Sequence, residues 1–543
     1  MKRKKILEIA AISLPILIVI LLMIPRLSSP QFGLLDDGAM LAEVRKIMAG
    51  DFRMQHDLQA GRFRPLYWGY FSLIYAFSGA TPFWFFFGHT VLFLILVIQI
   101  WTLIKQMGGK PWQALLACLV FISSVPIVEN FYTLSKGEPL QMVFVLLALI
   151  GFEKLNNSSG NRPKWPVISL IFFSILAALL VKETSMVMLP IAVLWAGFGF
   201  FDKRINSKTF TRSYLIFVGV IIAAIVTSLL LRNGWSGPSI TGGTYTEHYD
   251  LSLMSLINKL ARWLTLYAFY FHYLLPLAIV AVLAYFSKVK PLMNQSEHLL
   301  NWLVWVLIWI VALIPWEFTE VYYLLPFSIG ISVLIGLIAP VIKTALQQEN
   351  SPNWIPKTLL ALAAVLLLLT FPNYYTHART QLIIDRANQE MLERLNENLH
   401  QNGDAFIGMD AENEYVINSE RFLRDQYARH DIHYDFVSLE TLGGLHHYSQ
   451  GILVLPYIRN QPDLIVRIGM QEKFTIAWRE NIISVMDDRL TELNQIRGSF
   501  RMCNINLPVL MCPLLGDIGF CEEPDPVIDN REFRYGWEVY RIR

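Results

Sequence analysis

The sequence predicts a polytopic α-helical membrane protein, with about eleven transmembrane helices followed by a soluble α/β domain at the C-terminus. Composition is the first reason, since 54% of the 543 residues are hydrophobic and only 16% are charged. The second reason is that the apolar residues come in long runs as far as Phe371, whereas the sequence beyond it is charged and mixed. We therefore divide the chain into a transmembrane domain, 1–371, and a second domain, 372–543.

The N-terminal segment combines a basic start, MKRKK, with an apolar run from Ile6 to Ile24 that is long enough to cross a bilayer. Such a start is also typical of a signal peptide, but no small-residue cleavage motif follows the run. We expect an uncleaved first helix with its basic end in the cytoplasm.

A long polar loop, residues 27–81, follows this helix and contains two adjacent carboxylates, Asp36 and Asp37. The loop returns to the membrane through an aromatic segment, Pro65 to Gly79, which is short for a crossing of about 20 residues. We expect this segment to lie in the membrane interface.

Ten further apolar runs complete the eleven spans. They are Pro82 to Ile104, Trp112 to Val128, Pro139 to Phe152, Trp165 to Val181, Met186 to Phe201, Tyr214 to Leu231, Trp263 to Phe286, Leu299 to Pro315, Tyr322 to Ile342 and Lys357 to Phe371. On this assignment most loop lysines and arginines lie on the cytoplasmic side, as in membrane proteins generally. The scheme predicts a multi-pass protein of the inner or plasma membrane, with a cytoplasmic N-terminus and a periplasmic or extracellular C-terminal domain.

The C-terminal domain alternates helical and β-like patterns. We predict helices at Tyr374 to Asn402 and Asn418 to His430, and strands at Ala405 to Met409, Tyr434 to Leu439, Gly451 to Ile458, Phe474 to Trp478 and Trp537 to Ile542. No acid/base constellation is visible, so we expect the domain to support stability or the access of an acceptor substrate to a site elsewhere, rather than chemistry. Cys503, Cys512 and Cys521 predict one disulfide of unassigned pairing and one free thiol in an oxidising compartment.

Ionisable residues collect at the span ends that this topology places outside. They are Asp36, Asp37, Arg64, Lys136, Glu138, Lys182, Glu183, Glu317 and Glu320. Charged groups near hydrocarbon are costly, so a cluster on one face of a bundle predicts a functional site. The alternative is that each residue is only a membrane-interface anchor.

Asp36 and Asp37 open a predicted amphipathic helix, Ala39 to Ala49. One of them could be the helix N-cap, for which aspartate is a preferred residue. The other would be a general base if burial and its charged neighbour raise its pKa toward neutrality. The register of the helix allows either assignment.

Two cations are candidates for binding a phosphate. Lys182 interrupts the apolar run LAALLVKETSMVMLP and needs a partner, either Glu183 or an anionic ligand. Arg64, in GRFRPLYW, could clamp a phosphate through two donors or snorkel beside Tyr67.

Together these features resemble the GT-C glycosyltransferases, which include protein O-mannosyltransferases and aminoarabinose transferases. That superfamily places its catalytic aspartate at the start of the first outer loop, which implies this role for Asp36 or Asp37, and the resemblance implies that Lys182 contacts the lipid phosphate. Tyr322 and Tyr323, followed by Leu-Leu-Pro, look like the motif that opens a late helix in the same superfamily. Val321 replaces the arginine that often precedes this motif.

The resemblance implies an inverting glycosyltransferase that moves a sugar from a polyprenyl-phosphate donor to an acceptor hydroxyl on a lipid, glycan or protein. Membrane lipids are expected partners, and the scattered basic residues argue against nucleic acid. No metal motif is visible and no cofactor is predicted, although a divalent cation is left open. A secondary transporter and a lipid-glycan ligase or polymerase are the alternatives, but a transporter would favour inverted repeats and charges near mid-membrane.

Overall fold

The computed structural model describes residues 2–33, 36–52, 57–58, 62–157, 165–201, 208–236, 251–286, 290–316, 320–347, 354–368, 370–399, 405–409, 414–437, 451–458, 474–480 and 535–542. Glu317 and the three C-terminal cysteines lie outside these residues, so their predicted roles stay predictions.

The first part of the chain is helical. Its helices are α1 (Lys2–Ser28), α2 (Asp37–Met48), α3 (Pro65–Ser78), α4 (Pro82–Gln106), α5 (Pro111–Ile122), α6 (Pro126–Tyr132), α7 (Glu138–Asn156), α8 (Trp165–Val181), α9 (Met188–Phe201), α10 (Lys208–Ser236), α11 (Leu253–Tyr270), α12 (Leu274–Phe286), α13 (Lys290–Leu313), α14 (Leu325–Gln347) and α15 (Trp354–Leu368). Short 3-10 helices, Glu183–Val187 and Val321–Leu324, precede α9 and α14.

Proline marks the start of several of these helices. Pro65, Pro82, Pro111 and Pro126 each stand in the first turn, where the missing N–H would have had no helical partner. These four helices therefore begin where the sequence supplies a proline.

Two predicted spans are broken in the structure. The span predicted at Trp112 to Val128 divides into α5 and α6, which meet at 71°, because Pro126 cannot continue the preceding helix. The span predicted at Trp263 to Phe286 divides into α11 and α12, with Phe271 outside the helical region. Pro276, early in α12, would clash with the carbonyl of His272 in a continuous helix.

Among the described residues, four helical segments are long and apolar enough to cross a membrane. They are Glu8–Ser28, Pro82–Gln106, Arg212–Trp235 and Val321–Pro340. The bent pair of α5 and α6 would make a fifth crossing, and Trp165–Val181, Glu183–Phe198 and His298–Leu313 are shorter apolar helices. The chain is thus a helical membrane protein, while the number eleven stays a prediction.

The C-terminal part contains α16 (Thr370–Asn398), α17 (Glu414–Asp425) and a mixed five-stranded sheet. Its strands are β1 (Ala405–Met409), β2 (His433–Val437), β3 (Gly451–Ile458), β4 (Phe474–Glu480) and β5 (Tyr535–Ile542). In the order β2-β1-β3-β5-β4, β1 is parallel to both of its neighbours and β5 is antiparallel to both of its own. That this part is one domain on the outer face stays a prediction.

The first loop and the C-terminal part share a hydrophobic core. Phe32 is fully buried and stacks on Phe422 of α17, with ring centroids 6.0 Å apart, and meets Phe85 of α4 edge to face. Leu41 of α2 and Leu392 of α16 belong to the same buried cluster. Burial of these side chains fixes the first loop between the helical bundle and the C-terminal part.

Candidate active site

Asp36 is the exposed member of the carboxylate pair. It holds the N-cap position of α2, but its side chain makes no capping hydrogen bond. Its φ of 52° is in the left-handed region, which is uncommon for a residue with a side chain and often marks functional sites. The carboxylate is 53% exposed, accepts a hydrogen bond from the Ser135 hydroxyl at 3.3 Å, and lies 3.5 Å from Lys136 Nζ.

Asp37 is the buried member, with 1% of its surface exposed. Its Oδ2 accepts the N–H of Gly33 at 2.6 Å, and Oδ1 accepts the N–H of Ser135 at 3.4 Å. Burial raises the pKa of Asp37 to about 7, aided by the charge of Asp385 and opposed by the Gly33 N–H and by Arg26. Asp37 therefore ties the loop to its surroundings, while Asp36 faces outward.

Arg26 and Asp385 form an ion pair behind Asp37. Arg26 Nη2 lies 2.5 Å from Asp385 Oδ2, and both side chains are 0% exposed. Gln381 donates to Asp385 Oδ1 at 3.0 Å, and Arg26 also donates to the carbonyl of Gln31 at 3.1 Å. The Arg26 guanidinium stands 3.7 Å from the Phe86 ring centroid, which gives this buried cation a favourable second contact.

Lys136 stands between Asp36 and the tyrosines of the late motif. Its ammonium lies 4.3 Å from the ring centroid of Tyr322. Burial opposes its charge, but the carboxylates of Asp36, Glu129 and Glu320 hold the pKa of Lys136 above its usual value. Lys136 is therefore a charged group at the centre of the site.

Lys182 is paired with Glu138 at the start of α7, and not with Glu183, its neighbour in the sequence. Its ammonium also lies 4.7 Å from the ring of Tyr323 and 5.6 Å from that of Tyr322. Glu138 is buried, and its Oε2 has no hydrogen-bond partner among the residues that the structure describes. Both lysines therefore lie close to the rings of the tyrosine pair.

Arg64 is held inside the first loop by Asp57. Its Nε and Nη2 donate to the two carboxylate oxygens at 3.0 and 2.6 Å, and Trp68 Nε1 donates to the same carboxylate at 2.6 Å. Although burial works the other way, this contact holds the pKa of Asp57 below its usual value. The guanidinium also stacks 4.7 Å from the Tyr67 ring centroid. Any contact with a phosphate would require Arg64 to leave Asp57 or to share its donors.

Arg62 is a further cation that the sequence analysis missed. Its backbone N–H donates to the carbonyl of Asp57 at 2.7 Å, and the carboxylates of Glu183 and Asp57 favour the charged form of its guanidinium. Burial and then the Arg64 charge lower the pKa of Arg62. The end of the first loop therefore lies close to Tyr323 of the late motif.

Most of the predicted site residues meet in the structure. The shared region contains Asp36, Asp37, Lys136, Glu138, Lys182, Tyr322 and Tyr323, with Arg64, Glu183 and Glu320 around it. Within the described residues, no three histidine, cysteine, aspartate or glutamate side chains are placed to hold a metal ion.

Five contributing residues were missed from the sequence: Arg26, Asp57, Arg62, Ser135 and Asp385. Arg26 carried a usable signal, because a lone arginine at the predicted outer end of the first span departs from the positive-inside bias. Asp385 carried another, since it stands among the apolar positions of an amphipathic helix.

Searches of family models and of curated proteins found no match to this sequence. Solved structures do match. ArnT from Cupriavidus metallidurans, in a crystal structure with bound undecaprenyl phosphate, is similar over 86% of this chain and 96% of its own, at a TM-score of 0.50 and 10% identity.

The oligosaccharyltransferase of Archaeoglobus fulgidus, tethered to an acceptor peptide, matches 79% of this chain at the same TM-score and identity. The match spans 63% of that longer chain. Both proteins are GT-C glycosyltransferases. The chain therefore has the fold of the GT-C glycosyltransferases, the superfamily that its first loop resembles.

Proposed function

We propose that this chain is a membrane glycosyltransferase that moves a sugar from a polyprenyl-phosphate donor to an acceptor hydroxyl on the outer face of the membrane, with inversion. The observation that carries the proposal is an exposed carboxylate, Asp36, beside a lysine and a tyrosine pair, Lys136, Tyr322 and Tyr323. The shared fold with an enzyme crystallised with undecaprenyl phosphate supports the donor class.

We assign the role of general base to Asp36 and not to Asp37. An oxygen of the base must come within about 3 Å of the hydroxyl oxygen whose proton it takes. The raised pKa favours Asp37, but Asp37 is buried and already accepts two backbone N–H groups, whereas half of the Asp36 side chain is exposed to an acceptor. Asp37 is then a positioning residue that holds the turn from which Asp36 projects.

The reaction is a single displacement. The acceptor hydroxyl gives its proton to Asp36 as its oxygen attacks the anomeric carbon. The bond between that carbon and the phosphate oxygen breaks, and the polyprenyl phosphate leaves as an anion. Attack from the side opposite the leaving group inverts the anomeric configuration.

Two lysines stabilise the leaving phosphate in this proposal. A leaving phosphate needs positive charge more than it needs a proton, and preorganised charges act strongly in a site that excludes water. Lys182 keeps the role implied by the resemblance. We assign the second cation to Lys136, because Arg64 already donates from Nε and Nη2 to the Asp57 carboxylate. An arriving phosphate would share Lys182 with Glu138.

The proposed orientation follows from the charges of the loops: a cytoplasmic N-terminus and an outer C-terminal part in an inner or plasma membrane. The acceptor is a lipid, glycan or protein that presents a hydroxyl to this face.

The test is a turnover assay with the purified full-length protein and polyprenyl-phosphate sugars, scored by release of free polyprenyl phosphate. Acceptor-dependent release and an inverted product would support the proposal. Cells with and without the gene, compared for lipid-linked and surface sugars, would identify the pair of substrates. Transport of the intact sugar lipid across vesicles, without cleavage, would contradict the proposal and favour the transporter.

A further inference from the structure

We infer that Asp385, on α16, is a positioning residue for the catalytic loop, so that the C-terminal part of the chain belongs to the active-site scaffold. The inference rests on the proposed function, because it takes Asp36 as the reacting carboxylate. It goes beyond that function by assigning a task to a residue more than three hundred positions away in the sequence.

The first support is the buried ion pair between α1 and α16. Asp385 contacts Arg26 at 2.5 Å, with neither side chain exposed, and Gln381 supplies another donor to the same carboxylate. A buried ion pair is weak evidence for stability, because apolar replacements of both partners are often neutral or stabilising. Its position beside the first loop suggests instead that it selects one arrangement of that loop.

The second support is the shared contact of two carboxylates with the same backbone. A methyl group built on Gly33 would lie 3.1 Å from Asp37 Oδ2 and 3.4 Å from Asp385 Oδ1. Asp37 in turn accepts the N–H groups of Gly33 and Ser135. Asp385 and Asp37 therefore both approach Gly33, and Asp37 is the chain neighbour of the strained turn at Asp36.

A third support is a second contact between the C-terminal part and the helix that follows Asp36. Arg45 of α2 pairs with Asp425 of α17 at 2.6 Å. Gly38 lies so close to α17 that an added methyl group would be 2.9 Å from Asn418 Oδ1. The catalytic loop is thus held by α16 on one side and α17 on another.

The charges around Asp37 make this arrangement measurable. Arg26 approaches Asp37 from α1 and Asp385 approaches it from α16, and Tyr67 of α3 lies near it as well. Lys136, from the loop before α7, pairs with Asp36, the neighbour of Asp37 in the chain. Removing the Asp385 charge would lower the pKa of Asp37, because a negative neighbour is lost and Arg26 becomes available to Asp37.

The activity test compares Asp385→Asn with Arg386→Ala, a control at the next position whose side chain is exposed. We expect Asp385→Asn to lower kcat by roughly 10- to 100-fold while the donor KM changes by less than about twofold, because a small misplacement of a reacting group costs rate more than binding. The control should keep the parental kcat. A parental kcat for Asp385→Asn would overturn the inference.

A measurement that needs no activity separates this inference from the proposed function. The melting temperatures of the parent, Asp37→Asn, Asp385→Asn and the double variant are measured at pH 8. They form a double-mutant cycle, in which contacting residues give non-additive changes. Non-additive shifts support the coupling even if no transferase activity is found. Additive shifts overturn it.

Asp385→Asn could fail to fold, since it alters one side of a buried pair. The double variant Arg26→Met, Asp385→Leu removes both charges and leaves none unpaired. We expect it to insert and fold normally and still to lose roughly 10-fold or more in kcat. A folded double variant with parental kcat overturns the inference.

Discussion

Replacing Asp37 by Asn should change how the stability of this protein depends on pH. Burial raises the pKa of Asp37 from 3.8 to about 7 in the folded chain. Between about pH 4 and pH 7 the folded protein therefore keeps a proton that the unfolded chain releases. Rising pH disfavours folding across this window, and the full cost is present above pH 7.

The size of the effect follows from the shift of about three pKa units. Each unit corresponds to about 1.4 kcal/mol, so the ionised Asp37 costs on the order of 4 kcal/mol of stability above pH 7. Asparagine resembles the protonated acid in size, keeps an oxygen for the Gly33 N–H, and carries no charge. The variant should therefore match the parent at pH 4 and melt at a higher temperature at pH 8.

The assay is the melting temperature of both proteins in detergent from pH 4 to pH 8. Titrating groups remote from Asp37 contribute equally to both curves, so the difference between the curves reports Asp37 together with its coupling to Asp385. Asp36→Asn is the matched control, since it makes the same substitution at the neighbouring position, whose side chain is half exposed. Parallel curves for the parent and Asp37→Asn would refute the reasoning.

Three further outcomes are expected. Lys182→Ala should lower kcat/KM for the donor by on the order of 10²-fold in turnover assays, whereas Lys105→Ala, in the last turn of α4, should not; equal values would return Lys182 to the interface anchors. Arg64→Lys loses the two-point contact with Asp57 and should destabilise the protein by roughly 1–3 kcal/mol in thermal melts, and an unchanged melting temperature would show that this pair is not structural. A reporter fused after Phe371 should be active on the outer side, and a cytoplasmic signal would contradict the topology.

Local patterns predicted much of the secondary structure. Helix α8 begins at Trp165 and ends at Val181, as the apolar run does, and the strands Ala405–Met409 and Gly451–Ile458 match the predicted runs. These elements depend on periodicity within one segment, which the sequence displays directly. The broken spans depended on single prolines within otherwise uniform apolar runs, and length alone suggested continuous helices.

The candidate site was predicted as a set of residues but not as a set of pairs. Lys182 has an extended backbone just before the 3-10 helix that begins at Glu183, and adjacent side chains on extended backbone point to opposite sides, so Glu183 was a poor guide to the partner of Lys182. Glu138, 44 positions away, occupies that place. The pairing of Asp385 with Arg26 spans 359 positions and follows from how α16 packs on the bundle. No local pattern carries that information.

That packing also bears on the expectation that the C-terminal domain takes no part in the chemistry. Asp385 performs no proton transfer in our proposal, and the expectation that the domain does no chemistry stays a prediction. Asp385 does lie against the loop that carries Asp37. We therefore propose that this part of the chain sets the geometry of the site.

The central claim, that Asp36 takes the acceptor proton, is tested most directly by the single-turnover rate of Asp36→Asn. The substitution keeps the size of the side chain and removes its basicity. We expect the rate of polyprenyl phosphate release to fall by about 10²–10⁴-fold at an unchanged melting temperature, with donor binding retained. Transfer at the parental rate would contradict the account and place the base elsewhere, with Glu138 and Glu320 as the next candidates.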